Sequence, residues 1–158
     1  AYIEKKGMDI IIPRICRVYG PSMLKTDSKA LAQFIKKAVA YEDIVLKSEG
    51  TQLFSYCYAA DVVAALLFLL INGEKGESYN IADERSDIRL KDLAAILAET
   101  AGKNVVFELP DEQERKGYSK ATKALLDPSK INALGWKPRY DIREGIAKTV
   151  KILREEDR

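Results

Sequence analysis

Two hydrophobic rhythms alternate along the chain. Ile10-Ile11-Ile12, within residues 8–15, is a continuous β-branched run, the pattern of a strand covered on both faces. Gly20-Pro21-Ser22 breaks it. Ser28 reads as an N-cap, and Leu31, Phe34, Ile35 and Val39 then recur on one face of a helix running to about Ala40. Ile44-Val45-Leu46 predicts a short strand and Ser48 to Thr51 a turn, after which residues 53–58 alternate as a strand does. Asp61 opens a helix that is apolar almost all round through Val62, Val63, Leu66, Leu67 and Leu70. Such a helix is predicted to be buried, with Asn72-Gly73 as its stop.

The second half continues the mixture. Residues 78–82 predict a short strand, Asp87 caps a helix from Leu90 to Ala101 closed by Gly102, and Val105 to Phe107 is a strand. Residues 111–122 are polar and charged, with Gly117-Tyr118 at their centre, and read as a mobile loop. Asp127-Pro128 puts proline at the first position of a short helix ending near Leu134. Gly135 to Pro138 is a turn, and Asp141 caps a last helix from Ile142 to Leu153. The fold class is α/β, built of short strands and helices without an internal repeat.

Composition narrows the function classes. At 158 residues the chain suits one domain, and 47% hydrophobic with 32% charged residues is too apolar for intrinsic disorder. Basic residues number 26 and acidic ones 24, so no general field for nucleic acid is expected. The absence of histidine removes the usual general base and the commonest metal ligand, and no metal site is expected. Cys16 and Cys57, far apart in sequence, read as buried free thiols in a reducing cytoplasm, with an oxidised pair as the alternative. The longest apolar stretch, residues 62–71, is ten residues long, whereas a membrane span needs about 20. With no signal peptide at the start, no membrane partner is expected. The chain begins at Ala1 and enters a strand almost at once, as a piece of a longer polypeptide would.

Four motifs stand in order. Arg14-Ile15-Cys16-Arg17-Val18-Tyr19-Gly20-Pro21 is similar to R-x-x-N-x-Y-G-P. The segment from Gly50 through Gln52, Phe54 and Tyr58 to Asp61 resembles G-x-Q-x-R-D-F-x-Y-V-x-D. Gly76 to Ala82 resembles G-x-x-Y-N-I-G, and Leu134-Gly135-Trp136-Lys137-Pro138 with Glu144-Gly145-Ile146 resembles L-G-W-x-P and E-G-[LI]. Each is weak alone. Together they span nearly the whole chain and resemble the C-terminal part of the NAD-dependent epimerase/dehydratase group, the extended short-chain dehydrogenases.

The resemblance implies one C-terminal substrate-binding domain over residues 1–158, in which 8–19 and 78–82 are strands of an otherwise missing NAD-binding domain. It implies NAD bound mainly by that missing N-terminal Rossmann domain, whose glycine-rich turn has no counterpart here. The catalytic Tyr-x-x-x-Lys pair of the family lies well upstream of the first strand. Tyr2 and Lys6 have its spacing but lie too near that strand, and read as a helix end. No catalytic residue is therefore assigned.

The resemblance places Ile15 and Cys16 beside the nicotinamide, with strand packing as their alternative role. It places substrate contacts at Arg17, Gln33, Lys36, Val45, Gln52, Phe54 and Tyr118. Arg17 stands where the family commonly has asparagine; it can offer a planar fork to a phosphate or carboxylate, or be a surface arginine. Lys36 and Lys37 are equally a solvated helix face. Phe54 departs most, because the family's arginine at that position holds the diphosphate and a phenyl ring cannot. Asp61, Gly135 and Trp136 are architectural: a helix cap, a turn and a core plug.

The leading expectation is the sugar-nucleotide-binding part of an NAD-dependent epimerase or dehydratase, inactive alone. The alternatives are a non-catalytic interaction module of the same fold, or part of a sugar-nucleotide reductase or decarboxylase. Bare edges at 8–15 and 78–82 further predict self-association, as a homo-dimer or a higher species.

Overall fold

A computed structural model describes residues 2–108 and 121–156; Tyr118 and most of the segment read as a mobile loop lie outside them. The elements run α1 (Tyr2–Lys6), β1 (Ile12–Ile15), β2 (Arg17–Tyr19), α2 (Ala30–Val39), β3 (Ile44–Leu46), β4 (Leu53–Tyr58), α3 (Ala59–Asn72), β5 (Ser78–Ile81), β6 (Asp87–Arg89), α4 (Leu90–Ala101), β7 (Val105–Phe107), β8 (Lys123–Ala124), α5 (Ser129–Ala133) and α6 (Ile142–Glu156). The α/β class read from the sequence is the one found.

Three small sheets organise the described residues. β1 pairs in parallel with β5, with Ile12 opposite Ser78 and Ile15 opposite Ile81. β4 is the central strand of the second sheet. It runs parallel to β2 and β8 and antiparallel to β6. β3 and β7 form a third, parallel pair.

Strand β4 shows why its sequence alternates imperfectly. Phe54, Tyr56 and Tyr58 enter one hydrophobic core with Leu31, Phe34 and Ile35 of α2, Leu93 and Leu97 of α4, and Ile146 and Val150 of α6. Cys57 points into a second core with Val62 and Leu69 of α3, Tyr79, Ile81, Ile131 and Trp136. A strand buried on both faces has no polar face to show. Trp136 is thus the core plug its motif suggested.

Helix α3 is not the buried helix its composition predicts. Val62, Ala65 and Leu69 form its buried stripe, while Val63, Leu67, Leu70 and Ile71 are 56, 57, 74 and 84% exposed. Only one layer of the described residues lies against it. The β-branched run before β1 differs from expectation in the same way, with Ile12 and Ile15 44 and 42% exposed rather than covered on both faces.

Several ends are capped otherwise than the sequence suggests. The residue before α2 is Lys29, not Ser28, and its N–H donates to Asp27 Oδ1 at 2.9 Å. Arg89 precedes α4, and Asp87 belongs to β6 instead. Pro128 sits at the N-cap of α5, one position earlier than expected. Asp61 lies inside the first turn of α3, and its carboxylate accepts the N–H groups of Arg139 and Tyr140 at 3.1 and 2.9 Å. It therefore anchors the chain entering α6 rather than capping its own helix. Asp141 does cap α6: it accepts from the Glu144 N–H while Glu144 accepts from the Asp141 N–H, a reciprocal capping box.

Candidate functional site

The start of β2 lies beside β4, with Arg17 opposite Tyr56. Residues two apart on a strand share a face, so the Arg17 side chain lies along the row that carries Tyr56 and Phe54. Its guanidinium carbon sits 3.5 Å over the centre of the Phe54 ring. Phe54 is 8% exposed, fixed between Ile88 on β6 and Ala124 on β8. Among the described residues Arg17 has no acidic partner.

Gln52 precedes the strand by one residue and shares the parity of Phe54. Its backbone carbonyl accepts from the Leu90 N–H at 2.9 Å. Its side-chain Oε1 is buried and has no hydrogen-bond partner among the described residues. Burial pushes the Tyr56 phenol up to about 12, with the Arg17 charge pulling the other way. Burial also raises the Tyr19 phenol. Both stay protonated at neutral pH, so they can donate hydrogen bonds but do not serve as bases.

The remaining candidates fall elsewhere. Gln33 Nε2 and Lys36 Nζ both donate to the Asp27 carbonyl at 2.8 Å, bracing the turn before α2. Lys36 also lines a cavity of about 770 Å³ between α2 and α6, together with Met23, Val39, Tyr41, Leu153 and Arg154. Val45 is the half-buried middle of β3, opposite Val106. Ile15 ends β1 and Cys16 follows it, half-buried, at the carboxyl end of the parallel β1–β5 pair. Tyr2 and Lys6 lie on α1, which buries no residue.

The folded chain brings together two pairs that sequence spacing hides. Cys57 lies opposite Val18, and the Cys16 thiol beside it, with burial, pushes the Cys57 thiol well above its ordinary range. Both thiols are free. Ser55, 1% exposed, donates to Asp87 Oδ1 at 2.5 Å and accepts from the Leu126 N–H at 3.0 Å. Partial burial raises the Asp87 carboxyl above its ordinary value, opposed by that hydrogen bond. Among the described residues no cluster of three or more potential ligands could hold a metal ion. None of their helices is long and apolar enough to cross a membrane.

Arg17 lies two residues past the carboxyl end of the parallel β1–β5 pair, and open α/β sheets commonly bind ligands outside such ends. The model of the NAD dependent epimerase/dehydratase family matches residues 1–82, just over half of the sequence. The chain belongs to that family. It is 32% identical to the dTDP-D-glucose 4,6-dehydratase of Mus musculus over 98% of its own length and 44% of that protein's. To UDP-glucuronic acid decarboxylase 6 of Arabidopsis thaliana it is 30% identical, over 99% of this chain and 43% of the other. The UDP-glucose 4-epimerase structure from Thermotoga maritima, determined with UDP-glucose, superposes with a TM-score of 0.84 at 26% identity, covering 99% of this chain and 50% of that one. The chain thus spans less than half the length of these curated relatives.

Proposed function

We propose that this chain is the substrate-binding part of an NAD-dependent enzyme acting on a nucleoside-diphosphate sugar, as an epimerase, dehydratase or decarboxylase. In this reading residues 1–158 form one substrate domain, and 8–19 with 78–82 extend a cofactor-binding sheet supplied by other sequence of the same protein. The observation that carries the reading is the bare apolar layer. Ile12, Ile15, Leu67, Leu70 and Ile71 would be covered by an α/β neighbour that pairs with the free edge of β1 or β5. Relatives about twice this length, matched across nearly all of this chain, fit the same division.

The residues present suit one end of the cofactor. Ile15 and Cys16 offer an exposed apolar edge and a thiol at the carboxyl end of two parallel strands, a surface for an aromatic ring. The pyrophosphate would be held by other sequence. NAD, when bound, supplies the hydride acceptor. This chain orients the nucleotide sugar through Arg17, Gln52 and their neighbours, and Tyr118 remains a proposed contact. The catalytic Tyr-Lys pair is assigned outside the chain.

Calorimetric titration with NAD, UDP-glucose, UDP-glucuronic acid and dTDP-glucose tests the division. The protein carrying this chain in full length should bind NAD and one of the sugar nucleotides. The 158-residue chain alone should turn over none of them and should self-associate in light scattering through its bare layer. Tight NAD binding or turnover by the 158 residues alone would contradict the proposal.

A further inference from the structure

We infer that Arg17, held on the Phe54 ring, is the fork that takes the diphosphate oxyanion of the ligand, with Phe54 as its positioning residue. The inference rests on the nucleotide-sugar reading and names the group that reads the charge. Three observations lead to it.

The first is the platform. Phe54 is almost fully buried and pinned between two strands, so its ring is a fixed surface rather than a mobile side chain. A guanidinium carbon 3.5 Å from the ring centre has its approach from that side closed by the ring. Ordering the cation in advance reduces what must be immobilised when an anion arrives.

The second is the missing counter-charge. The other arginine–aromatic stackings among the described residues differ in surroundings. Arg154, over Tyr41, gives an N–H to the Ala38 carbonyl, and Arg139, over Tyr140, lies beside the Asp61 anchor. Arg17 has no hydrogen bond or ion pair from its guanidinium among the described residues, so all five donors remain for a ligand.

The third is Gln52, whose buried Oε1 has no hydrogen-bond partner among the described residues. An orphaned buried amide oxygen is costly, and this one precedes Phe54 on the same strand face. Turned outward toward the oxyanion, it would accept from a ligand hydroxyl. The charge that the family pattern carries on the strand of Phe54 thus arrives over that same ring from the neighbouring strand.

The test is a calorimetric series on the full-length protein with inorganic diphosphate, UDP, UDP-glucose and UDP-glucuronic acid as probes. A hydrogen bond to a charged group is worth about 1.5–3 kcal/mol, so Arg17→Ala should weaken UDP and UDP-glucose by roughly 10- to 100-fold. It should flatten the salt dependence of binding and leave the thermal midpoint unchanged. Arg17→Lys should recover only part, because the planar fork is lost. Phe54→Leu should cost about two- to fivefold, the worth of an exposed cation–π contact. Combined with Arg17→Ala it should cost nothing more, a coupling that a merely structural role would not produce.

Arg17→Ala binding UDP within about twofold of the parent overturns the inference and leaves the nucleotide-sugar reading standing. Loss confined to UDP-glucuronic acid overturns it too, by assigning the fork to a sugar carboxylate. Arg17-dependent binding of diphosphate without any nucleotide sugar supports the fork and removes the broader reading. A parent protein that binds none of the four overturns both.

Discussion

The two sides of strand β4 are built from similarly apolar sequence and finish in opposite states. On one side α2, α4 and α6 close over Phe54, Tyr56 and Tyr58, leaving Leu31, Phe34, Ile35, Leu93 and Leu97 no more than 5% exposed. On the other, α3 is a nearly uninterrupted apolar run, yet it buries one stripe and leaves Leu70 and Ile71 largely bare. The difference lies in the polar residues. α2 carries Gln33, Lys36 and Lys37 and α4 carries Lys91, Asp92 and Glu99, so each helix has a face made for water. α3 has no such face, and a helix apolar all round is shaped for two neighbours. The described residues supply one.

The sharpest way to break this contrast is a pair of truncations. Leu97→Ala removes a side chain that is 0% exposed, and should cost about 2–5 kcal/mol in urea unfolding through lost transfer and a residual cavity. Leu70→Ala, at 74% exposure, should change stability by no more than about 0.5 kcal/mol in the 158-residue chain at low concentration. Equal costs for the two would mean that the α3 face is already covered in solution. A midpoint that rises with protein concentration would then identify a second copy as the cover.

A smaller effect probes how tightly the closed side is filled. Gly145 lies in α6 against the hydroxyl of Tyr19, and a Cβ there would overlap that oxygen. Alanine normally improves a helix interior by roughly 0.5–1 kcal/mol. Here Gly145→Ala should instead destabilise by about 1–3 kcal/mol, because a full core has no room for another methyl. Tyr19→Phe removes the offending hydroxyl and only long contacts, 3.4 and 3.5 Å to the Asp141 and Ile142 carbonyls. The double variant should therefore unfold later than Gly145→Ala alone.

Local patterns carried most of the fold. Ile44 to Leu46, residues 53–58, the body of α4 with its Gly102 stop, and the Asp141 cap all lie where apolar period and turn chemistry put them. What escaped is set by register across strands. β8 is two residues long and exists because Lys123 and Ala124 fall beside Leu53 and Phe54. Asp87 looks like a helix cap until its strand brings it to Ser55. Ser28 lost its expected role because α2 starts one residue later, with Lys29 at the N-cap and no side-chain cap. In the candidate site, Arg17 and Phe54 were each visible as departures from a motif, but their contact follows only from the β2–β4 pairing. Burial of α3 was misread because composition gives a helix's need for neighbours, not their number.

The Ser55–Asp87 contact gives the smallest effect, and a pH dependence of unusual sign. It closes the edge of the central sheet, on a carboxyl whose partial burial raises it above its ordinary value of 3.8. A raised carboxyl binds its proton more tightly folded than unfolded, so ionisation weakens the fold. Its contribution is therefore intact below pH 3.8, falls as pH rises toward the folded-state value, and stays lost at neutral pH. Asp87→Asn keeps an oxygen to accept from Ser55 and carries no charge to desolvate. It should give a small rise in thermal midpoint at pH 7 that shrinks on acidification, as the carboxyl of the parent becomes neutral too. A variant less stable than the parent at pH 7, with the deficit vanishing in acid, would show that the Ser55 hydrogen bond to an ionised partner outweighs the burial of the charge.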